Sequence, residues 1–358
     1  MKAKLLLTAS LLVLSMTAFG QKKKKATQAT PPKTEAVAQA PKPEPPQPPV
    51  VPTPPQKKAI LLFAANNDGK FGYIGPEGQE VISSQYDKAE PFGEKLGLVR
   101  FAGKWGFITP EGKYEINPQF DEAYGFSENL SAVKTKGKWG YIDGTGNYTI
   151  RPIFSDAKPF SEGLAAVKEN GKWGYIDKDG KMVINPQFQE AEPFKGPLAL
   201  VKFAGKWGYI GKDSKYVIIP RYDDAKDFSE GLAAAKEDGK WGFIDTTGNF
   251  LIKNDFAGAN SFVDGLAPVK LGSSWGYLDK EGKLQINPQF SDAHDFAEGL
   301  AAVKMGSLYG FIDKNGQFSI NPQFNNAENF KEGMAQVKLG SKMAYIKSDG
   351  KVIWTQTK

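Results

Sequence analysis

The sequence predicts an all-β chain: a tandem array of nine 34-residue units, each a three-stranded meander. An open or superhelical stack is the favoured arrangement, and a closed propeller-like ring is the alternative. Three observations lead there. An aromatic residue stands at Phe71, Trp105, Trp139, Trp173, Trp207, Trp241, Trp275 and Tyr309, with Met343 in the same phase, and every step is 34 residues. Within each unit the apolar residues alternate with period two, not the 3.6 of a helix. Each unit also carries glycines, and most carry a proline, which punctuate a chain with turns.

The unit around Trp173 justifies the elements in order. Gly163–Lys168 reads as a first strand, and Asn170-Gly171 is a two-residue hairpin signal. Trp173–Asp177 returns as the partner strand, and Lys178-Asp179-Gly180 makes the next turn. Lys181–Asn185 is the third strand, which Pro186 is expected to end because proline has no N–H to pair. The connector that follows carries Phe188 and Phe194 with Ala191 between them, and such pairs recur from Tyr86 and Phe92 to Phe324 and Phe330. A small meander cannot bury two apolar faces by itself. These rings are therefore expected to cover the meander or stack on the next unit, so that each repeat depends on its neighbours.

The ends bear on the choice between stack and ring. The first unit starts at its first strand, "AILLFAANNDGK", and the last stops at its third, "KVIWTQTK". No strand offset of the kind that closes many propellers is visible, and the end units are the least regular. Both points favour the open stack.

Upstream of the repeats the chain changes character. Residues 1–20 read as a signal peptide: Lys2 and Lys4, an apolar run from Leu5 to Ala18, and Ala18 and Gly20 as small residues before a cut after Gly20. The run is shorter than the roughly 20 apolar residues of a spanning helix, so the mature chain is expected to hold no transmembrane segment. Residues 21–58 are a linker with Lys22–Lys25 and eleven prolines between Pro31 and Pro55, a composition that cannot bury a core. Residues 59–358 form the β domain. The expected location is exported: periplasm, outer-membrane associated or extracellular.

The net charge of +6 belongs to that leader and linker. Residues 1–58 hold ten lysines and two glutamates, which leaves 36 basic and 38 acidic residues, a net of −2, for 59–358. A nucleic-acid partner would need its basic excess on the folded domain, so none is expected.

The Lys-Trp-Gly-aromatic-Ile core, the Asp-x-x-Gly turn, the Ile-x-Pro-x-Phe segment and the Ala-x-x-Phe-x-x-Gly-Leu-Ala connector resemble the WG repeats, also called KWG repeats, of bacterial exported proteins. The resemblance covers about 59–358. It implies a repeat scaffold and brings no catalytic motif. The chain departs from the pattern at Phe71, at Met343-Ala344, and at Ser273-Ser274 and Ser307-Leu308, where Gly-Lys is replaced.

Candidate chemistry is sparse. There is one histidine, His294, and no cysteine. His294 occupies a position held elsewhere by Glu90, Tyr124, Lys158 and Asn260, which reads as a permissive loop site. No nucleophile elbow, zinc helix or phosphate loop is present. The acids recur in every unit, whereas an active site needs one asymmetric constellation. The chain is expected not to be an enzyme, and no cofactor or metal is expected. Asp177-x-Asp179-Gly180 superficially matches a calcium loop, but calcium needs six to eight oxygens and tight turns want Asp and Gly by themselves.

Two columns remain. Trp105, Trp139, Trp173, Trp207, Trp241 and Trp275 are either core between units or, with the neighbouring tyrosines, a ligand platform. Arg100, Lys134, Lys168, Lys202, Lys236, Lys270, Lys304 and Lys338 either guard strand edges or form a basic stripe facing an acidic polymer or partner. The leading expectation is an exported non-enzymatic β-repeat scaffold that engages a protein or envelope component. The alternative is a carbohydrate or cell-wall binding module using Trp and Tyr platforms.

Overall fold

A computed structural model of the chain describes residues 61–357. Contacts divide the chain after Lys57, and the signal-peptide and linker expectations fall outside the described residues. Among the described residues, nine antiparallel sheets follow one another along the chain. No helix in them is long and apolar enough to cross a membrane.

Blade 1 has three strands, β1 (Phe63–Asn67), β2 (Lys70–Ile74) and β3 (Glu80–Tyr86). Blades 2 to 9 each have four. In blade 4 these are Asp156–Ala157, Ala165–Glu169, Lys172–Ile176 and Met182–Phe188, hydrogen-bonded in that order. The predicted hairpin is present, with Asn170 at φ 49° and Gly171 at φ 78°, the two positive angles of a turn whose twist matches the strands.

Two local expectations change. The connector is not only a cover: its first residues form a two-residue strand, with Asp156 opposite Lys168 and Ala157 opposite Val167. Nor does Pro186 end the third strand, which runs to Phe188 with Trp173 opposite it. This strand is the edge of its sheet, where a missing N–H is tolerated. A register shift between Trp173 and Tyr175 carries the extra residues, and the displaced backbone lies over Gly174. A Cβ there would collide with the Ile184 carbonyl and sit 2.8 Å from the Pro186 nitrogen. Glycine follows tryptophan because its own sheet presses on it.

The core lies between sheets. Trp139, Tyr141, Ile150 and Phe154 of blade 3 pack against Ala157, Phe160, Val167 and Ile176 of blade 4. The same layer repeats around the molecule. At the eight interfaces from blade 1 through blade 9 the connector ring meets the tyrosine or phenylalanine of the preceding blade, as in Tyr141–Phe160, 4.8 Å between centroids, and Tyr175–Phe194, 5.0 Å. Edge-to-face pairs of this kind add to the burial of both rings.

The expected open stack is overturned: the nine blades close into a ring, a β-propeller. Blade 9 meets blade 1 through Met334 and Tyr345 against Ala65 and Ile74. Tyr345 donates to the Ala64 carbonyl at 2.8 Å, and Lys347 pairs with Glu77 at 2.8 Å. Gln356 and Thr357 reach Asn66 and Asn67. Among the described residues closure shares no strand: blade 9 lays its face directly on β1 and β2 of blade 1.

Candidate functional site

Equivalent residues of adjacent blades touch along the connectors. Lys158 pairs with Glu192 at 2.6 Å, and Lys226 donates to Asn260 at 2.6 Å, each across 34 residues. Ser127, Ser161 and Ser229 donate to the carbonyls of Phe160, Phe194 and Phe262 in the next blade. Matching positions of neighbouring blades meet where blades converge, so the two-residue strands form the inner rim and the third strands the outer edge.

The two predicted columns come together on the two middle strands of each four-stranded blade. Lys168 is the cross-strand partner of Trp173, and Lys202 of Trp207. Lysine ammonium groups lie 5.4–5.9 Å from the ring centroids of Trp139, Trp173, Trp207, Trp275 and Tyr309, within cation–π reach. Acids on the two-residue strand hold some of these lysines: Lys134–Glu122 at 2.7 Å and Lys202–Glu190 at 3.1 Å. The column is therefore not one uniform stripe. Arg100 stands opposite Lys88, Lys236 opposite Asp224, Lys270 opposite Gly258, Lys304 opposite Asp292 and Lys338 opposite Asn326.

The six tryptophans of the column belong to the layers between blades. Trp139, Trp173 and Trp207 are buried, while Trp105, Trp241 and Trp275 are half-buried. The tyrosines beside them are more deeply enclosed. Tyr141, Tyr175, Tyr209 and Tyr277 donate to the carbonyls of Lys158, Glu192, Lys226 and His294 in the following blade. Burial pushes their hydroxyls well above the usual tyrosine range. Trp207 lines a surface cavity of about 360 Å³ together with Glu190, Glu192, Lys195, Lys226 and Asp227.

The remaining candidates resolve into structural roles. Asp177 Oδ1 accepts from the backbone N–H of Asp179 and Lys181, so the apparent calcium loop closes on itself. Among the described residues no three His, Asp or Glu cluster as metal ligands do. His294 is half-buried, its ring 5.8 Å from Tyr309, rather than on an open loop.

A set of carboxylates escaped the sequence reading. Glu128 accepts from Gly163 N–H, Glu230 from Gly265 and Glu298 from Gly333, each in the next blade, and Glu94 accepts from Glu128 and Asn129. Glu128, Glu230 and Glu298 sit at positive φ of 52–53°, a conformation uncommon for glutamate. The signal was a Glu-Gly dipeptide at Glu230 and Glu298, which marks a tight turn but not the use of its carboxylate; Glu94 and Glu128 precede Lys95 and Asn129 and carry no such mark. Burial opposes ionisation of Glu128, but Lys178 and the Gly163 N–H outweigh it and hold its pKa below the usual glutamate value.

The fold is similar to a solved structure described as a eukaryotic initiation factor, at 11% identity and a TM-score of 0.59, over 83% of this chain and 96% of that one. Further matches are the dihydro-heme d1 dehydrogenase NirN, at 12% identity and 0.47 over 79% and 77%, and Hsv2p of Kluyveromyces lactis, at 9% and 0.41 over 66% and 96%. No match was found among curated proteins. The WG-containing repeat matches residues 71–105, 105–139, 139–173, 173–207, 207–241, 241–273, 275–309 and 309–342. With eight consecutive matches across most of its length, the chain belongs to the family of WG-containing repeat proteins.

Proposed function

We propose that this propeller is a non-enzymatic scaffold that binds a protein partner at its outer edge, in an exported location. One observation carries the reading. Val183, Val217 and Leu251 hold the same position on the outer strands of three consecutive blades and are 44%, 48% and 63% exposed. Blades 1 and 9 carry Val81 and Ile353 there, and the remaining four have Glu115, Thr149, Gln285 and Ser319. Apolar side chains repeated on exposed sheet edges are costly unless something covers them. Export is supported by Lys2, Lys4 and the apolar run to Ala18. The test is affinity capture from envelope extract with the wild type and with V183E/V217E/L251E. Loss of a captured protein at unchanged melting temperature supports the proposal, and identical capture removes the outer edge from it.

A second reading is carried by the Trp207 cavity. An indole beside three carboxylates and two ammonium groups suits a sugar ring, which stacks on aromatics and hydrogen-bonds at its rim. Titration with wall polysaccharide distinguishes the two. Quenching that is lost in Trp207→Phe supports the sugar site, and unchanged fluorescence sinks it.

A further inference from the structure

The seam between blades 9 and 1 differs from the other eight interfaces in one respect. Elsewhere the Trp-Tyr face of one blade is covered by the two-residue strand of the next, whose alanine and phenylalanine enter the layer. Ala157 and Phe160 cover Trp139 and Tyr141, and Ala191 and Phe194 cover Trp173 and Tyr175. Blade 1 has no such strand among the described residues, and the edge of β1 has no ladder partner there beyond β2.

The consequence is open space where the alanine and phenylalanine would lie. A cavity of about 260 Å³ is bounded by Phe63, Ala64, Phe92, Asn329, Met334 and Tyr345. A second, of about 270 Å³, lies over Met343 and Val337, and the two share Glu328 and Gln336. Tyr345 meets Phe63 at 5.8 Å in place of a connector ring at 4.8–5.0 Å. Asn329, on the cavity wall, has a buried Oδ1 without a partner.

We propose that this groove accepts an extended segment of a partner polypeptide carrying the pattern acid-Ala-x-x-Phe, which completes blade 1 as its fourth strand. The chain itself supplies the template. Asp156-Ala157, Glu190-Ala191 and Asp292-Ala293, each followed by Phe three residues on, fill the same place in blades 4, 5 and 8. The incoming alanine lies against Met343, the phenyl ring enters the cavity against Tyr345, and the backbone pairs with β1, as in other strand additions. The chain's own residues in that phase are Pro55 and Lys58. The repeat phase thus assigns a lysine to the position that is phenylalanine in every other connector, and an unpaired charge in an apolar socket is unfavourable.

This inference rests on the binding-scaffold reading and names a second partner surface for it. The test titrates the full chain with the synthetic peptide Ser-Asp-Ala-His-Asp-Phe-Ala-Glu-Gly, the sequence of residues 291–299, by calorimetry. The expected result is saturable one-to-one binding. It weakens about tenfold or more when the peptide phenylalanine becomes alanine, and it is lost in Gln336→Trp, which fills the groove, while that variant keeps the wild-type circular dichroism. Ala64→Leu, a smaller filling, is the second variant and weakens binding if Gln336→Trp does not fold. Absence of saturable binding, equal binding of both peptides, or unchanged affinity in the folded filled variant overturns it. Binding only after residues 21–58 are removed assigns the groove to the chain's own upstream segment and also overturns it. None of these failures touches capture through Val183, Val217 and Leu251, so the broader reading is judged separately.

Discussion

Tyr345 donates a hydrogen bond to the carbonyl of Ala64, 281 residues earlier in the chain, at 2.8 Å. Inside the array the matching hydroxyl, that of Tyr175, donates to the connector carbonyl of Glu192; at the seam it reaches a carbonyl of β1, eight positions later in the repeat. Tyr345→Phe removes the donor and leaves a part-buried carbonyl unpaired, so the ring is expected to lose about 1–2 kcal/mol. Tyr175→Phe should lose a similar amount. Denaturant unfolding of both variants checks this, and a neutral Tyr345→Phe beside a costly Tyr175→Phe would mean that the seam is open in solution.

Alkaline pH tests the same contact. Burial pushes the Tyr345 hydroxyl up to about 12, while an unfolded tyrosine ionises near 10. Between those values the unfolded chain has lost its proton and the folded one has kept it. Stability is therefore full below about 10 and falls as pH rises toward 12. Buried tyrosines in the other blades extend the loss in the same direction. Melting temperature should drop through this window, less steeply in Tyr345→Phe.

Two glycines of one hairpin make a mechanistic contrast. Gly171 has φ 78° and open space around its Cα, so Gly171→Ala is charged only the left-handed backbone cost of about 1–2 kcal/mol. Gly174 has ordinary backbone angles but lies under the Ile184–Pro186 backbone. Gly174→Ala must displace the third strand and is expected to be the more damaging change, about 1–3 kcal/mol or more. Thermal melts of the two variants rank them, and the reverse order would remove the close approach as the reason for the Trp-Gly pair.

Asp295 is expected to be a liability. Burial raises its pKa, with Lys226 and His294 opposing only in part, and its Oδ1 has no hydrogen-bond partner. The folded state holds the proton more tightly than the unfolded one. Its contribution is thus complete below the unfolded value of about 3.9 and lost as pH rises through the raised folded value. Asp295→Asn should raise the melting temperature at pH 7, with the gain shrinking as pH falls toward 4. A destabilised variant at pH 7 would show that the carboxylate is held by a partner in solution.

The strands, hairpins and repeat period were legible because each is written locally: Asn170-Gly171 fixes a turn, and alternation fixes a face. The pairing of Lys168 with Trp173 was legible too, since a two-residue turn between Glu169 and Lys172 determines every partner beyond it. The two-residue inner strand was not, because Asp156-Ala157 is too short to show alternation. The ring was not legible either. Open and closed arrays share one repeat pattern, and curvature depends on how Trp139 and Tyr141 seat against Ala157 and Phe160, which no single unit encodes.

The glutamate contacts have a direction: Glu94, Glu128, Glu230 and Glu298 all reach forward, onto the backbone of the following blade. Head-to-tail contacts have no natural stopping point, and a full turn shared by nine blades sets about 40° for each. An open solenoid can gain or lose one repeat at its end at the expense of one interface. Here the loss of one repeat would leave a gap of that whole angle, and one more would not fit. Length variation among relatives that keep this blade geometry should therefore come in whole rings, not in single units.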